Sequence, residues 1–311
     1  MLSNYKLETT KLGKTELTVT RFGAGGHFTN GPVAHDDIPR RVAELNHLLD
    51  LGVTYFDVQW EPEEIATAEI MKTRKDEFSV AWPLHGVTKL GGEITEKYIL
   101  DYCNEHRLRF GIQHVDILLW VALELYENTK EKVMDVVCSA FNTLKSQGFC
   151  DYLGFSCHKS PEMAKYAITE TDAFDVMMVP YCALHPAAGR GLLELAKEKG
   201  IGTVGMKPFG GGDGFFNAVW SGKVKHPDVK EWFHSERTYE AAIRWVMMDK
   251  NLDCTVPAAH SIEQIDQLFN AIQKPFSDED KDILFRMKNV MNETDMELQM
   301  KGPAGKPGNW D

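Results

Sequence analysis

Three consecutive segments of the chain read VDILLWV at Val115–Val121, KEKVMDVVCSAFNTLKSQ at Lys130–Gln147 and YLGFS at Tyr152–Ser156. The two outer runs are short and almost entirely apolar, which is typical of strands that are buried on both faces of a parallel sheet. The middle stretch repeats apolar residues at helical spacing along one face. Since two parallel strands need a long crossover connection, this segment predicts a strand–helix–strand unit.

The same alternation of short apolar runs and amphipathic stretches extends along the chain. The other predicted strands are Thr20–Ala24, Tyr55–Val58, Phe78–Trp82, Val176–Pro180, Gly202–Met206 and Cys254–Ala258. The other predicted helices are Arg40–Leu51, Glu63–Thr73, Thr95–Arg107, Pro161–Thr169, Leu192–Gly200, Thr238–Asp249 and Ile262–Ile272. Eight strands alternating with eight helices predict an α/β fold, a closed (β/α)8 TIM barrel. A doubly wound open sheet is the alternative, because strand count alone does not establish closure.

Two further elements flank the predicted barrel. Residues 1–19 contain two short β segments around a Leu-Gly-Lys turn, and they predict an N-terminal hairpin cap. Asp278–Met291 predicts an extra C-terminal helix. Ser277 stands directly before this helix and Asp280 three residues later, which is the spacing of a capping box that uses Asp.

The chain is expected to form one domain over residues 1–311, because no linker of biased composition divides it. Residues 213–235 carry five aromatic side chains and are too long for an ordinary connection, so they predict a loop insert or lid. The Gly- and Pro-rich residues 301–311 predict an irregular tail.

Composition excludes several classes of partner. Lys and Arg number 34 against 46 Asp and Glu, a formal charge of -12, which disfavours binding to nucleic acid or to an anionic membrane surface. No apolar run approaches the roughly 18 residues of a membrane span, and the first ten residues resemble no export signal. The six cysteines form no CxxC pair, as expected for reduced thiols in the cytoplasm. A small-molecule substrate is the expected partner, and a homo-oligomer remains an open option.

Several motifs, taken in order, resemble those of the aldo-keto reductase superfamily. They are Lys11–Thr15 (KLGKT), Leu51–Asp57 (LGVTYFD), His106–Leu118 (HRLRFGIQHVDIL), Leu144–Gly148 (LKSQG) with Gly154–Ser156 (GFS), and Met206–Phe209 (MKPF) with Ile243–Trp245 (IRW). The resemblance covers nearly the whole chain and implies the same barrel.

The resemblance also implies an activity, the reduction of carbonyl compounds with NADPH by an Asp, Tyr, Lys and His tetrad. Asp57 matches the Asp. Glu61, Trp82 and Trp120 stand at or beside the positions where the Tyr, Lys and His are expected. The chain is therefore identified as a divergent member with a degenerate tetrad. Because general acid catalysis typically contributes about 10²–10⁴-fold, ordinary carbonyl reduction is expected to be nearly abolished.

The positions that bind the cofactor in the family are changed as well. Ser156 is retained, whereas Met178 and Met206 stand where an amide and a stacking aromatic are usual. Gln264 replaces a basic residue, and Leu268 replaces an Asn. Ser156 and Gln264 remain candidate cofactor contacts, but this pattern speaks against NADP in the standard pose and leaves the cofactor open.

Barrel enzymes carry their chemistry on the loops after the strands, so the polar and aromatic residues there are the candidate site. The catalytic candidates are Asp57, Glu61, His85, His158 and Lys207. The substrate-binding candidates are His27, Trp60, Trp82, Trp120, Tyr181 and His185.

Three interpretations of these residues compete. Glu61, His85 and His158 have the side-chain types that bind a divalent metal. Alternatively, a histidine oriented by Asp57 or Glu61 relays protons without a metal. In the third interpretation, the histidines are ordinary loop residues. The sequence favours non-redox acid–base chemistry of the lyase or isomerase type on a small polar molecule. An NAD(P)H-dependent oxidoreductase with a non-standard site and an inactive binding protein are the alternatives.

Overall fold

The computed structural model describes residues 5–26, 37–59, 61–84, 94–184, 191–211, 224 and 237–293. The strands are β1 (Thr9–Lys11), β2 (Thr18–Thr20), β3 (Tyr55–Asp57), β4 (Ser79–Leu84), β5 (Val115–Trp120), β6 (Cys150–Ser156), β7 (Val176–Pro180), β8 (Gly202–Met206) and β9 (Cys254–Val256). The α-helices are α1 (Ile38–Asp50), α2 (Glu61–Arg74), α3 (Glu96–Phe110), α4 (Lys130–Ser146), α5 (Pro161–Thr169), α6 (Leu192–Glu198), α7 (Arg237–Met248), α8 (Ile262–Ile272) and α9 (Asp278–Glu293).

The strands β3 to β9 form one parallel sheet in sequence order. Residues 22–24 close it, because Phe22 bridges to Thr255 in β9 and Ala24 bridges to Phe56 in β3. The backbone N–H of Gly23 donates to the Thr255 carbonyl at 2.8 Å, and that of Ala24 donates to the Tyr55 carbonyl at the same distance. The predicted barrel is therefore confirmed in preference to the open sheet.

The first predicted strand, Thr20–Ala24, differs in detail from the observed structure. Its first residue pairs in the antiparallel hairpin of β1 and β2, and residues 22–24 join the barrel through isolated bridges rather than a full strand. One short segment thus passes directly from the hairpin into the barrel wall.

Alternation of side chains along the strands divides the core into two layers. One layer fills the barrel interior, and its buried members are Leu12, Val19, Tyr55, Ala81, Ile117, Leu119, Val176, Met178, Val204, Met206, Cys254 and Val256. The other layer lies between the strands and the surrounding helices. Both faces of the sheet are therefore buried, which explains the nearly continuous apolar runs in the sequence.

The predicted C-terminal helix is present as α9, and its capping box forms. Ser277 Oγ accepts the Asp280 N–H at 3.2 Å, and Asp280 Oδ2 accepts the Ser277 N–H at 2.9 Å. Arg244 of α7 donates two hydrogen bonds to the same carboxylate, at 3.0 and 2.8 Å. One buried carboxylate therefore both caps α9 and attaches it to α7.

In the ranges described, no helix combines the length and the apolar character needed to cross a membrane. The predicted insert at 213–235 lies outside the described residues except for Val224, and so does the predicted tail at 301–311.

The hairpin closes the N-terminal end of the barrel through Leu12 and Gly13. The Leu12 side chain is fully buried in the interior layer. Gly13 has φ +55°, and a Cβ on it would lie 2.2 Å from the backbone nitrogen of Gly202, the first residue of β8. Only glycine fits here, because both the backbone conformation and the space exclude a side chain.

We expect Gly13→Ala to destabilise the protein by about 3 kcal/mol, since the left-handed conformation costs about 1–2 kcal/mol and the methyl group overlaps the backbone of β8. Gly52→Ala is the matched control: φ is +86° and nothing lies within 4 Å of the added carbon, so only the conformational cost applies. Chemical denaturation of the two variants checks this, and equal losses of stability would contradict the proposed contact of the hairpin with the barrel.

Candidate functional site

Ser156, His158 and Glu124 come together where β5 and β6 end. The Ser156 hydroxyl accepts the Ala122 N–H at 3.0 Å and lies 3.3 Å from His158 Nε2. Glu124 Oε2 accepts the backbone N–H of His158 at 3.1 Å. Ser156 is buried, while His158 and Glu124 are half-buried. His158 is therefore positioned at the C-terminal mouth of the barrel by two contacts. Its backbone N–H bonds Glu124, and its ring lies against the Ser156 hydroxyl.

Two residues at this mouth have backbone conformations that non-glycine residues rarely adopt. Ala122 follows β5 with φ +59°, and Lys207 follows β8 with φ +57°. Such conformations cost of order 1–3 kcal/mol and cluster at functional sites. The strain therefore marks the same end of the barrel as the Ser156–His158 pair.

The segment after β8 forms a tight turn around Lys207. The N–H of Gly210 donates to the Lys207 carbonyl at 2.8 Å. A Cβ on Gly211 would lie 2.8 Å from Lys207 Cδ, so the lysine chain lies directly across this glycine. Gly211 therefore leaves room for the predicted catalytic residue Lys207.

Asp57 ends β3 in a buried position, with 7% of the residue exposed. Its Oδ2 accepts a hydrogen bond from the Gln59 amide at 2.7 Å, and its Oδ1 has no hydrogen-bond partner in the described part of the chain. Burial raises the pKa of the carboxyl group well above its ordinary value, the Gln59 hydrogen bond lowers it, and the charge of Glu63 raises it. The balance favours a neutral carboxylic acid.

Cys157 is fully buried between the two residues of the Ser156–His158 pair. Its thiol donates to the Ser160 carbonyl at 3.1 Å. Burial and the charge of Glu124 raise its pKa above the ordinary value, against opposing backbone hydrogen bonds. A thiol in this state is a poor nucleophile.

Glu61, a predicted catalytic and metal-binding residue, faces away from this group. It opens α2, and its carboxylate pairs with Arg109 of α3, with 40% of the glutamate side chain exposed. The catalytic or metal-binding role of Glu61 stays a prediction.

The described side chains close enough together to share a metal ion are His114, Asp116 and Asp151. They lie near the beginnings of β5 and β6, where Lys75 Nζ already donates to Asp116 Oδ2 at 2.7 Å. This group lies at the opposite end of the strands from His158, which follows the end of β6.

Three predicted substrate-binding residues lie in the outer layer instead of lining the mouth. Trp82 is 2% exposed and packs against Phe110 of α3, and Trp120 is 1% exposed and packs against Tyr126. The Tyr181 hydroxyl donates to Asp249 Oδ2 at 2.6 Å, which directs the ring toward α7. Adjacent strand residues alternate between the interior and the helices, which explains these positions. The substrate-binding role of the three residues stays a prediction.

Four predicted site residues lie outside the described residues. They are His27, Trp60, His85 and His185.

The two predicted cofactor contacts have partners within the protein. Ser156 bonds Ala122 and His158 as above. Gln264 Oε1 accepts the His260 N–H at 2.8 Å, and the Gln264 N–H donates to Ser261 Oγ at 3.3 Å, so this residue stabilises the start of α8.

Three of the positions compared with the family's cofactor site in the sequence have a defined place in the fold. Met178 is 1% exposed inside the barrel, and Leu268 is buried in the outer layer of the core. The amide oxygen of Gln264 accepts one hydrogen bond within its own loop.

Sequence reasoning missed Ala122 and the specific role of Glu124. An alanine gives no sequence signal for a positive φ, so the turn that directs the Ala122 N–H toward Ser156 could not be predicted. Glu124 and His158 are 34 positions apart, and only the pairing of β5 with β6 brings them together.

The comparisons with known proteins agree with this barrel. The family model described as "Aldo/keto reductase family" matches residues 22–219, and the chain belongs to that family. Two solved structures of aldo-keto reductase AKR11C1 from Bacillus halodurans, a holo and an apo form, are similar in fold, with TM-scores of 0.66 and 0.65 and identities of 18% and 19%. Each alignment covers 91% of this chain and 96% of the other. No curated protein matches the sequence.

We expect Asp57→Asn to make stability less dependent on pH. The raised pKa means that the native state keeps a proton that the unfolded state releases above about pH 4. The stability that comes from this retained proton is therefore complete below about pH 4. It is lost, by about 1.4 kcal/mol per pH unit, as pH rises toward the native pKa. Asparagine does not titrate, and its amide oxygen can still accept from Gln59.

Denaturation of the variant and of the parent protein between pH 5 and pH 8 measures the effect. As pH rises, the variant should become progressively more stable than the parent protein. Asp172→Asn, at an exposed position, is the control and should follow the parent curve. Parallel curves for Asp57→Asn and the parent would show that the native carboxyl group is ionised.

Proposed function

We propose that this aldo/keto reductase family member performs non-redox acid–base chemistry, of the lyase or isomerase type, on a small polar molecule at the C-terminal mouth of its barrel. The observation that carries the proposal is the half-buried His158, which Ser156 and Glu124 hold at the end of β6. Active sites of barrel enzymes occupy this end.

The hydrogen bonds around Ser156 suit proton transfer by His158. Because the hydroxyl oxygen accepts from Ala122, its hydrogen is available for Nε2, a bond that favours the tautomer protonated at Nδ1. A histidine changes its protonation near neutral pH and so can both take and return a proton. Removal of a proton from the carbon beside a carbonyl group, followed by reprotonation or loss of a leaving group, requires no oxidant or reductant.

The surroundings of Asp57 support a reaction other than hydride transfer. In reductases of this family, the Asp and Lys tune the acidity of a Tyr. Here the carboxyl group accepts from neutral Gln59, and its raised pKa favours the uncharged form. A neutral acid does not provide the charge that such tuning uses.

An NAD(P)H-dependent oxidoreductase is the second candidate. It is favoured by the family match over residues 22–219 and by the retained Ser156. The two candidates differ in whether a nicotinamide nucleotide binds.

We expect the protein to catalyse exchange of a carbon-bound hydrogen in D₂O without added cofactor. The probes are small aldehydes, ketones and α-hydroxy acids, followed by proton NMR. His158→Gln should slow the exchange about 10²–10⁴-fold because it removes the proton-transfer group. His114→Gln is the matched control, because this histidine pairs with Asp151 near the start of β6. Exchange that persists unchanged in His158→Gln would rule this residue out as the acid–base group.

We expect neither NADPH nor NADP to raise the unfolding temperature in a thermal-shift measurement. A ligand at 100 times its Kd would stabilise the native state by about 2.7 kcal/mol, which is readily detected. Clear stabilisation by either nucleotide would support the oxidoreductase and count against the non-redox proposal.

A further inference from the structure

The barrel interior holds two buried oxygen atoms without a hydrogen-bond partner in the parts of the chain described. They are the hydroxyl of Tyr55, which is 0% exposed, and Oδ1 of Asp57. Unpaired buried oxygens are rare in folded proteins, and an internal water is a common explanation. Both oxygen atoms therefore need a hydrogen-bond partner.

Tyr55 and Asp57 point to the same side of β3. Residues two apart in a strand share a face and are separated by about 7 Å. Among the buried apolar residues of the described interior layer, Tyr55 alone carries a side-chain oxygen. The nearest oxygen-bearing neighbour on that face of the strand is the Asp57 carboxyl group.

Small residues surround this pair. Ala81 is in register with Asp57 on β4. On the other side, a Cβ on Gly23 would lie 2.8 Å from Cys254 Sγ and 3.2 Å from the Tyr55 ring, so that position tolerates no side chain. Because its neighbours are glycine, alanine and cysteine, the tyrosine ring fits inside the barrel.

Electrostatics also group these residues. Burial, then the charges of Asp57 and Cys254, raise the pKa of Tyr55 well above its ordinary value. Burial raises the pKa of Cys254 too, with Asp253 and then Asp57 contributing. The phenol, the carboxyl group and the thiol therefore lie in one low-dielectric neighbourhood.

We propose that Tyr55 and Asp57 bind one internal water molecule in the barrel, bridging the phenol oxygen and Asp57 Oδ1. A water molecule both donates and accepts, so it satisfies the Tyr55 O–H and the second oxygen of a carboxylic acid whose first oxygen is bonded to Gln59. The site lies beneath the mouth and does not depend on which reaction occurs there.

Tyr55→Phe tests the proposal, because it removes only the hydroxyl group. If water satisfies that hydroxyl, the variant loses a hydrogen bond, and the unfolding equilibrium constant measured in urea rises about fivefold. If the hydroxyl is dry and unpaired, its removal leaves the constant unchanged or lowers it, and the proposal is overturned.

Tyr166→Phe is the matched control, since Tyr166 is partly exposed on α5 and solvent can replace its hydroxyl contacts. Its unfolding constant should stay within about twofold of the parent value. A crystal structure of the parent protein supplies a second readout. Electron density for a water within hydrogen-bond distance of both oxygens is expected, with its loss in Tyr55→Phe, and a dry interior in the parent protein would overturn the proposal.

Discussion

The hydrogen bonds that close the barrel pass through residues 22–24, which lie between β9 and β3. A seven-stranded parallel sheet without this segment would have two open edges. Closure makes the sheet continuous, gives every strand an interior and an exterior face, and turns all carboxyl ends toward one mouth. The placement of Asp57, Ser156 and Lys207 at strand ends depends on that closure.

Closure also decides which side chains chemistry can use. Ser156 lies at the end of β6, where a hydroxyl can reach the N–H of Ala122 and the ring of His158. Trp82 within β4 and Trp120 at the end of β5 pack in the outer layer, against Phe110 and Tyr126. Burial raises the pKa of polar groups that remain inside, such as the carboxyl group of Asp57.

Much of the fold could be predicted because it rests on local patterns. The predicted helices and seven of the eight predicted strands have counterparts within a few residues, and the capping box of α9 forms as its Ser277 and Asp280 spacing indicated. The candidate site was less predictable. Trp82 and Trp120 were placed at the mouth because strand ends can be located from sequence, whereas the face of each terminal residue depends on the register of the closed sheet.

Apolar periodicity and short motifs act over a few residues or a single strand–helix unit, and they predicted the alternating strands and helices, the hairpin, the extra helix and the family resemblance. The hydrogen bonds of residues 22–24 settled the closure of the barrel. Only the tertiary structure decided that Glu61 pairs with Arg109, that Gln264 caps a helix and that Glu124 reaches His158. The physical reason is that side-chain partners far apart in the chain are set by how strands align and how buried polar groups find hydrogen bonds, and neither is encoded in a local pattern.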